Sequence, residues 1–249
     1  MKTCFFTFVT DSYAQYIEFD LFKKSFKHFH PDIPLFVLRD AEIDNLKRKH
    51  NSLDMYNIKA TAAKTLYNDY DLVVNIDADH FIFSRLDEIL QGDFDVACPS
   101  NVNYYENVDI HINTYLNNSY NIVNGQRYVQ AGLIASSSKQ FWNAYEAASI
   151  RHAHHMTCKD NDVLNLVLQF GDYNFKLLDG DWLPDSSQRN AFYGCSSLTL
   201  EHLVTIKNNA PHINSIPLKC YHVARGHIKP KLKDIFSREV VDWFLDTIK

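Results

Sequence analysis

The chain has 249 residues, 46% apolar and 22% charged, with a net charge of -5. Those figures describe a soluble globular chain, either one large α/β domain or two small ones, and exclude collagen-like or disordered polymers, which need far more than the 7 Gly and 7 Pro present. An acidic balance also argues against a dedicated nucleic-acid binder, so an anionic ligand needs locally placed cations or a metal. Cys4, Cys98, Cys158, Cys195 and Cys220 are odd in number, scattered and never in a C-x-x-C pair. They suggest a reducing compartment rather than a disulfide framework or a zinc ribbon. The apolar run from Phe5 to Val9 is too short for a signal h-region, and no run approaches the length of a membrane span, so a cytoplasmic location is expected.

In chain order, Cys4 to Val9 is a nearly continuous apolar run, as in a strand buried on both faces of a mostly parallel sheet. Thr10, Asp11 and Ser12 are each able to cap a following helix that carries Tyr13, Tyr16, Ile17, Leu21, Phe26 and Phe29 at helical spacing and stops before Pro31 and Pro34. A strand at Leu35 to Leu38, a polar helix through Leu46, a short strand around Met55 to Ile58 and a helix from about Thr61 to Asn68 follow. Asp71 to Ile76 is the clearest buried strand.

Beyond Phe83 the alternation loosens. Val96 to Cys98 reads as a strand, and the Asn- and Tyr-rich stretch from Asn101 to Asn124 as a lid or acceptor-side insertion. Strands are expected at Tyr128 to Ala135, Phe175 to Leu178 and Lys219 to Val223, and helices at Lys139 to Ile150, Asp160 to Phe170 and Val240 to Ile248. Such alternation implies an α/β fold built of βαβ units, with right-handed crossovers and helices on both faces. No linker or repeat divides the chain, so a single domain, 1–249, is expected.

Asp77-Ala78-Asp79 follows directly on the buried strand, at the carboxyl end of a central strand, where open α/β sheets bind ligands. Residues i and i+2 of an extended segment point the same way, so both carboxylates are able to face one cation. A solvated turn is the plainer alternative. Cys220 to Pro230 ends a strand in His222 and continues through Gly226 to Lys229-Pro230, offering an imidazole for a metal and an ammonium for a phosphate. A core histidine followed by an ordinary loop competes with that use. His152, His154, His155 and Cys158 form a local cluster, but their spacing matches no usual zinc site. Asn117-Asn118-Ser119 matches the glycosylation sequon and is read as loop, and the terminal helix as packing on the domain rather than on a partner or membrane.

These segments carry a family resemblance. AKTL at Ala63 to Leu66 and LVVNIDADHFIFSRLDEIL at Leu72 to Leu90 resemble the K-L and D-A-D signature of the glycogenin-like, family 8-type retaining glycosyltransferases of GT-A fold. Gln130 to Ile134 resembles that family's N-[SA]-G strand, Asp160 to Asn165 its D-Q-x-x-L-N helix start, His222 to Pro230 its H-x-x-G-x-x-K-P loop, and Phe8 to Tyr13 its first-strand uridine loop. Gln130 stands where the family prefers Asn, Asn161 where it prefers Gln, and the last loop carries one extra residue before Gly226.

The resemblance implies a GT-A, Rossmann-like single domain with a nucleotide-binding half at about 1–100, a sugar and acceptor half at about 125–230 and a C-terminal helix at 232–249. It implies a hexosyltransferase-like enzyme that moves a sugar from a nucleotide-sugar donor, expected to be a UDP-sugar, to a glycan, glycoprotein or small-molecule acceptor with retention of configuration. Asp77, Asp79 and His222 would hold Mn²⁺ or Mg²⁺. Thr7, Val9, Thr10 and Tyr13 would contact uracil and ribose, Asp77 the ribose as well, and Lys64, Gly226 and Lys229 the phosphates. Asp160, Asn161 and Gln130 would approach the transferred sugar as catalytic residues. No nucleic acid or transmembrane segment is expected. A non-catalytic sugar-nucleotide or glycan-binding module and a nucleotidyltransferase are the alternatives.

Overall fold

The computed structural model describes residues 1–50, 53–99, 129–156, 159–178, 204–213, 216–222 and 231–249. Its strands are β1 (Thr3–Phe8), β2 (Leu35–Leu38), β3 (Leu72–Ile76), β4 (His80–Ile82), β5 (Val96–Cys98), β6 (Leu133–Ser136), β7 (Phe175–Leu177), β8 (Val204–Lys207), β9 (Ala210–Ile213), β10 (Ile216–Pro217) and β11 (Cys220–His222). Its α-helices are α1 (Ile17–Phe29), α2 (Asp40–Lys49), α3 (Lys59–Leu66), α4 (Asp87–Leu90), α5 (Lys139–His152), α6 (Lys159–Phe170), α7 (Leu232–Ile235) and α8 (Arg238–Thr247).

The apolar runs of β1 and β3 dictate the architecture. Successive side chains of a strand point to opposite faces, so a run without polar alternation needs cover on both. Phe5 of β1 and Leu72, Val74 and Ile76 of β3 pack on one face with Phe19, Phe22 and Phe26 of α1 and with Val240 and Phe244 of α8. Cys4, Phe6 and Val73 pack on the other with Ile43 and Leu46 of α2, the alanines of α3, and Phe141, Trp142 and Tyr145 of α5. Each fully buried Phe contributes about 1.5–3 kcal/mol of transfer free energy. The six-stranded sheet has the order β2-β1-β3-β6-β5-β7. β1 runs parallel to β2 and β3, β5 parallel to β7, and β6 antiparallel to both of its neighbours. The expected mostly parallel sheet between helical layers is therefore present, with β6 reversed.

That order positions the site. β3, well inside the sheet, delivers Asp77 and Asp79 just past its carboxyl end. β6 runs back alongside it, so the Asp77 amide donates to the Gly132 carbonyl at 2.8 Å and brings the approach to β6 beside the two carboxylates. β4 and β11 form a separate antiparallel pair in which His80 lies opposite His222.

Several local expectations need correction. Thr10, Asp11 and Ser12 do not cap α1: Tyr13–Gln15 forms a 3₁₀ turn, α1 begins at Ile17, and its N-cap position Tyr16 supplies no side-chain cap. Thr10 Oγ1 instead accepts the Tyr13 amide at 3.2 Å, and Ile17 is exposed. Met55 to Ile58 is a turn, not a strand, because Asp54 Oδ1 accepts the Tyr56 and Asn57 amides and the Asn57 side chain, a local bond set that outcompetes an isolated strand. Of the strand expected at Tyr128 to Ala135, Tyr128 lies outside the described residues and the continuous strand β6 begins at Leu133, while β11 pairs with β4 rather than joining the main sheet. The β8–β9–β10 meander has no counterpart among the expected elements. Its β8–β9 turn places Asn208 and Asn209 at φ 50° and 58°, the left-handed pair that Asn tolerates best after Gly.

Cys4, Cys98 and Cys220 are buried free thiols, and burial raises the pKa of each, so they behave as core residues. Among the described residues no helix is long and apolar enough to cross a membrane. The Asn101 to Asn124 stretch, the sequon, Cys158, Cys195, Gly226 and Lys229 lie outside the described residues.

Candidate active site

Lys59 opens α3 and is only 3% exposed. A buried ammonium is costly unless all three of its donors are met. Here they are: Nζ lies 3.0 Å from Asp77 Oδ1, 2.8 Å from Asp160 Oδ2 and 2.7 Å from the Ala131 carbonyl oxygen. Burial alone would lower the Lys59 pKa, but the Asp160 and Asp77 charges reverse that and leave it raised, so the ammonium persists at ordinary pH. Burial raises the Asp77 carboxyl pKa, against the pull of Lys59 and His222. One ammonium thus ties the end of β3, the approach to β6 and the start of α6 together.

Asp79 belongs to a different cluster. Its Oδ1 is 3.1 Å from His222 Nε2, and Asp77 Oδ2 is 3.9 Å from the same nitrogen. Donor atoms about 3 Å apart match the edge of an octahedron with bonds of roughly 2.1 Å. Two carboxylates and an imidazole also form the mixed oxygen and nitrogen set that suits Mn²⁺. The residues present therefore fit a divalent cation. His80 places a further donor atom within 4.8 Å of those of Asp79 and His222. However, its ring stacks on that of His222 with centroids 4.3 Å apart and planes at 4°, so an ion in the plane of one ring stands outside bonding reach of the other. His80 Nδ1 donates to the Asp77 carbonyl at 2.9 Å, and burial, then the neighbouring His222, hold its pKa well below the usual imidazole range. It is a neutral wall against which His222 rests.

Three further contacts bound His222. Gln130 Nε2 lies 2.7 Å from Nδ1. Gly132 faces the ring so closely that an added Cβ would stand 2.5 Å from Cε1, which makes a side chain at 132 incompatible with this ring position. The strand pairing of β11 fixes the backbone. On the opposite side, Thr7 and Val9 are buried at the end of β1, and Val9 extends the β1–β2 ladder by donating to the Leu38 carbonyl at 3.0 Å. Thr7 Oγ1 and the Tyr13 hydroxyl are buried without a hydrogen-bond partner among the described residues. Burial raises the Tyr13 phenol pKa, and the Asp79 and Glu18 charges add to it, which puts the phenol within electrostatic reach of the Asp79 cluster.

The architecture has clear counterparts among solved structures. A galactosyltransferase, LgtC, in complex with donor and acceptor sugar analogs is similar at 16% identity over 98% of this chain and 95% of its own, with a TM-score of 0.59. An active-site mutant of LgtC, in which a glutamine is replaced by glutamate, gives 16% identity, coverage of 98% and 94%, and a TM-score of 0.59. The bifunctional glycosyltransferase WbbM gives 18% identity, covering 99% of this chain and 49% of its own, with a TM-score of 0.57. This chain has the GT-A glycosyltransferase fold. No family model and no curated protein sequence matches it.

Within the GT-A frame, several of the residues predicted from sequence converge. Asp77, Asp79, His222, Gln130 and Asp160 share the network just described. Asn161 stands beside it, its Oδ1 accepting the Ala131 amide at 2.7 Å. Thr10 is engaged locally with Ser12 and the Tyr13 amide. Lys64 is not brought to the carboxylates of the site: it pairs with Glu146 on α5, which also meets His50 Nε2 at 3.2 Å. Five positions separate Lys59 from Lys64, about 140° around a helix, so the two ammonium groups leave α3 in different directions. Sequence reasoning missed Lys59 and His80. A lysine at a helix start resembles a solvated residue, and nothing in one dimension announces its three acceptors. His80 had a weak signal, following Asp79 directly on a buried segment.

Proposed function

We propose that this chain is a metal-dependent glycosyltransferase that moves a sugar from a nucleotide-sugar donor, a UDP-sugar, to a glycan or related acceptor. The observation that carries this is the approach of Asp79 Oδ1 and Asp77 Oδ2 to His222 Nε2, at 3.1 and 3.9 Å, just past the carboxyl end of β3 in a GT-A fold. LgtC was crystallised with donor and acceptor sugar analogs, and such ligands are assigned here to the corresponding edge of the sheet.

In this assignment Asp79, His222 and Asp77 hold a divalent cation, which when bound offsets the charge that grows on the departing pyrophosphate. Lys59 fixes Asp77 on that cation's flank and Asp160 toward the sugar, so both carboxylates are positioned before the donor arrives. Asn161 braces the Ala131 backbone between them. Thr7, Val9, Thr10 and Tyr13 form the base and ribose side, where the Tyr13 ring offers a stacking face and its buried hydroxyl an available donor. Retention of anomeric configuration, the roles of Gly226 and Lys229 toward the phosphates, and the division into nucleotide and sugar halves on one domain come with the family resemblance and are part of the proposal.

The test is thermal stabilisation by UDP, GDP, CDP and dTDP, each with and without Mn²⁺. A melting-temperature rise specific to UDP with Mn²⁺ is expected by linkage, together with its loss in Asp79→Asn. Transfer by that variant should fall by roughly 100-fold or more, because the charge on the leaving pyrophosphate loses its counter-ion. Equal responses to all four nucleotides, or activity surviving excess chelator, would refute the assignment.

A further inference from the structure

We propose that Gln130 is the positioning residue of the metal site, holding the His222 imidazole by Nδ1 so that Nε2 stays turned toward Asp79. This replaces the sugar contact that the family resemblance implies at this position, and it rests on the metal-site assignment above.

Gln130 and His222 are both buried, and Gln130 Nε2 lies 2.7 Å from His222 Nδ1. An imidazole that binds a metal through Nε2 carries its proton on Nδ1 and donates it to a carbonyl, carboxylate or water. The Gln130 side chain is able to provide that acceptor. Its Oε1 is buried with no hydrogen-bond partner among the described residues, so a half-turn of the amide places Oε1 on Nδ1 without breaking another bond of that oxygen. The two amide orientations serve two ring states: NH₂ toward an unprotonated Nδ1, and C=O toward Nδ1–H.

The mount is rigid. The Gln130 backbone N–H donates to the Pro99 carbonyl at 2.9 Å. Asn165 grips Val129 twice, accepting its amide at 2.8 Å and donating to its carbonyl at 2.9 Å, and Asn161 Oδ1 takes the Ala131 amide at 2.7 Å. With His80 on one side of the His222 ring and the bare Gly132 backbone close to its Cε1 and Nδ1 atoms, Gln130 is the described side chain placed to set the rotation of the ring about its own plane. A side chain committed to Nδ1 in this way is not available to the sugar.

The test measures Mn²⁺ affinity by titration calorimetry in the absence of donor, and donor KM and kcat separately, for the wild type, Gln130→Met and Gln130→Glu. Gln130→Met is expected to weaken Mn²⁺ binding about 10- to 100-fold. Gln130→Glu, which keeps an acceptor for Nδ1–H, is expected to bind Mn²⁺ as well as the wild type or better. With diamagnetic Mg²⁺ in place of Mn²⁺, ¹⁵N spectra of the loaded wild type should show His222 protonated at Nδ1. Unchanged Mn²⁺ affinity in Gln130→Met with a raised donor KM would overturn the proposal and return Gln130 to the sugar. If the Met variant does not fold, Gln130→Asn, whose amide is retracted by one methylene, decides the point: wild-type Mn²⁺ affinity there overturns it, and weakened affinity upholds it. A wild type that binds no Mn²⁺ would instead defeat the metal-site assignment itself, an outcome distinct from either.

Discussion

Asp77 and Asp79 are separated by a single alanine, yet they face opposite electrostatic settings. On the Lys59 side every donor is met: three N–H groups, three oxygens, all within 3.0 Å. On the His222 side polar capacity is left over, with Gln130 Oε1, the Tyr13 hydroxyl and Thr7 Oγ1 buried and unpartnered among the described residues. Unmet buried groups cost about 1–3 kcal/mol each, so they persist where a ligand or a bound ion completes them. On the proposed function the first half is a strut and the second a receptor, and substitutions should separate the two.

Lys59→Met should have the largest effect on folding. It leaves Asp77 and Asp160 without their shared counter-ion, a loss of about 3–5 kcal/mol if the pair remains charged. Denaturant titration should show a reduced midpoint with the m-value preserved, whereas Asp79→Asn should leave the midpoint of the metal-free protein nearly unchanged. Equal destabilisation by both variants would erase the distinction between strut and receptor.

Gly132→Ala probes the boundary. The added methyl meets His222, not Lys59, so the ring must move, at about 1–3 kcal/mol of overpacking. Mn²⁺ affinity should fall by about tenfold or more while the Lys59 contacts survive. Calorimetry paired with a crystal structure of the variant checks both halves of that expectation.

The smallest effect at neutral pH concerns a residue outside the site. His30 is buried, accepts the Leu86 amide at Nε2 and stacks on Phe26, and burial lowers its pKa to about 4. Between pH 6.5 and that value the unfolded chain binds a proton that the native state refuses, so stability falls as pH falls. The loss should be on the order of 2 kcal/mol at about pH 5. His30→Gln, which keeps an acceptor for Leu86 without titrating, should flatten that slope, on top of a pH-independent loss from the missing ring contact with Phe26. An unaltered acid slope would assign the sensitivity elsewhere.

How much of this was legible in one dimension depended on range. β2 and β5 match their expected bounds, and β3 matches within one residue, because a continuous apolar run has few other ways to be buried. Asp77 and Asp79 were legible for the same reason, as charges directly following such a run. The turn at Met55 to Ile58 was misread because apolar content there competes with a single aspartate that gathers three local hydrogen bonds. Lys64 was given a role at the phosphates on its motif position alone, and helical geometry turns it to Glu146 instead.

The sequence by itself determined the layered α/β architecture and the position of Asp77 and Asp79 directly after a buried central strand, since hydrophobic periodicity and strand ends are local properties. Only the tertiary structure decided the partners. Lys59 becomes a strut because three segments bring an acceptor each to one buried ammonium, and the His222 ring is held in place because β4, the approach to β6 and Gly132 close around it. Those contacts join residues far apart in the chain, and their energies depend on burial that no single segment possesses before the sheet has formed.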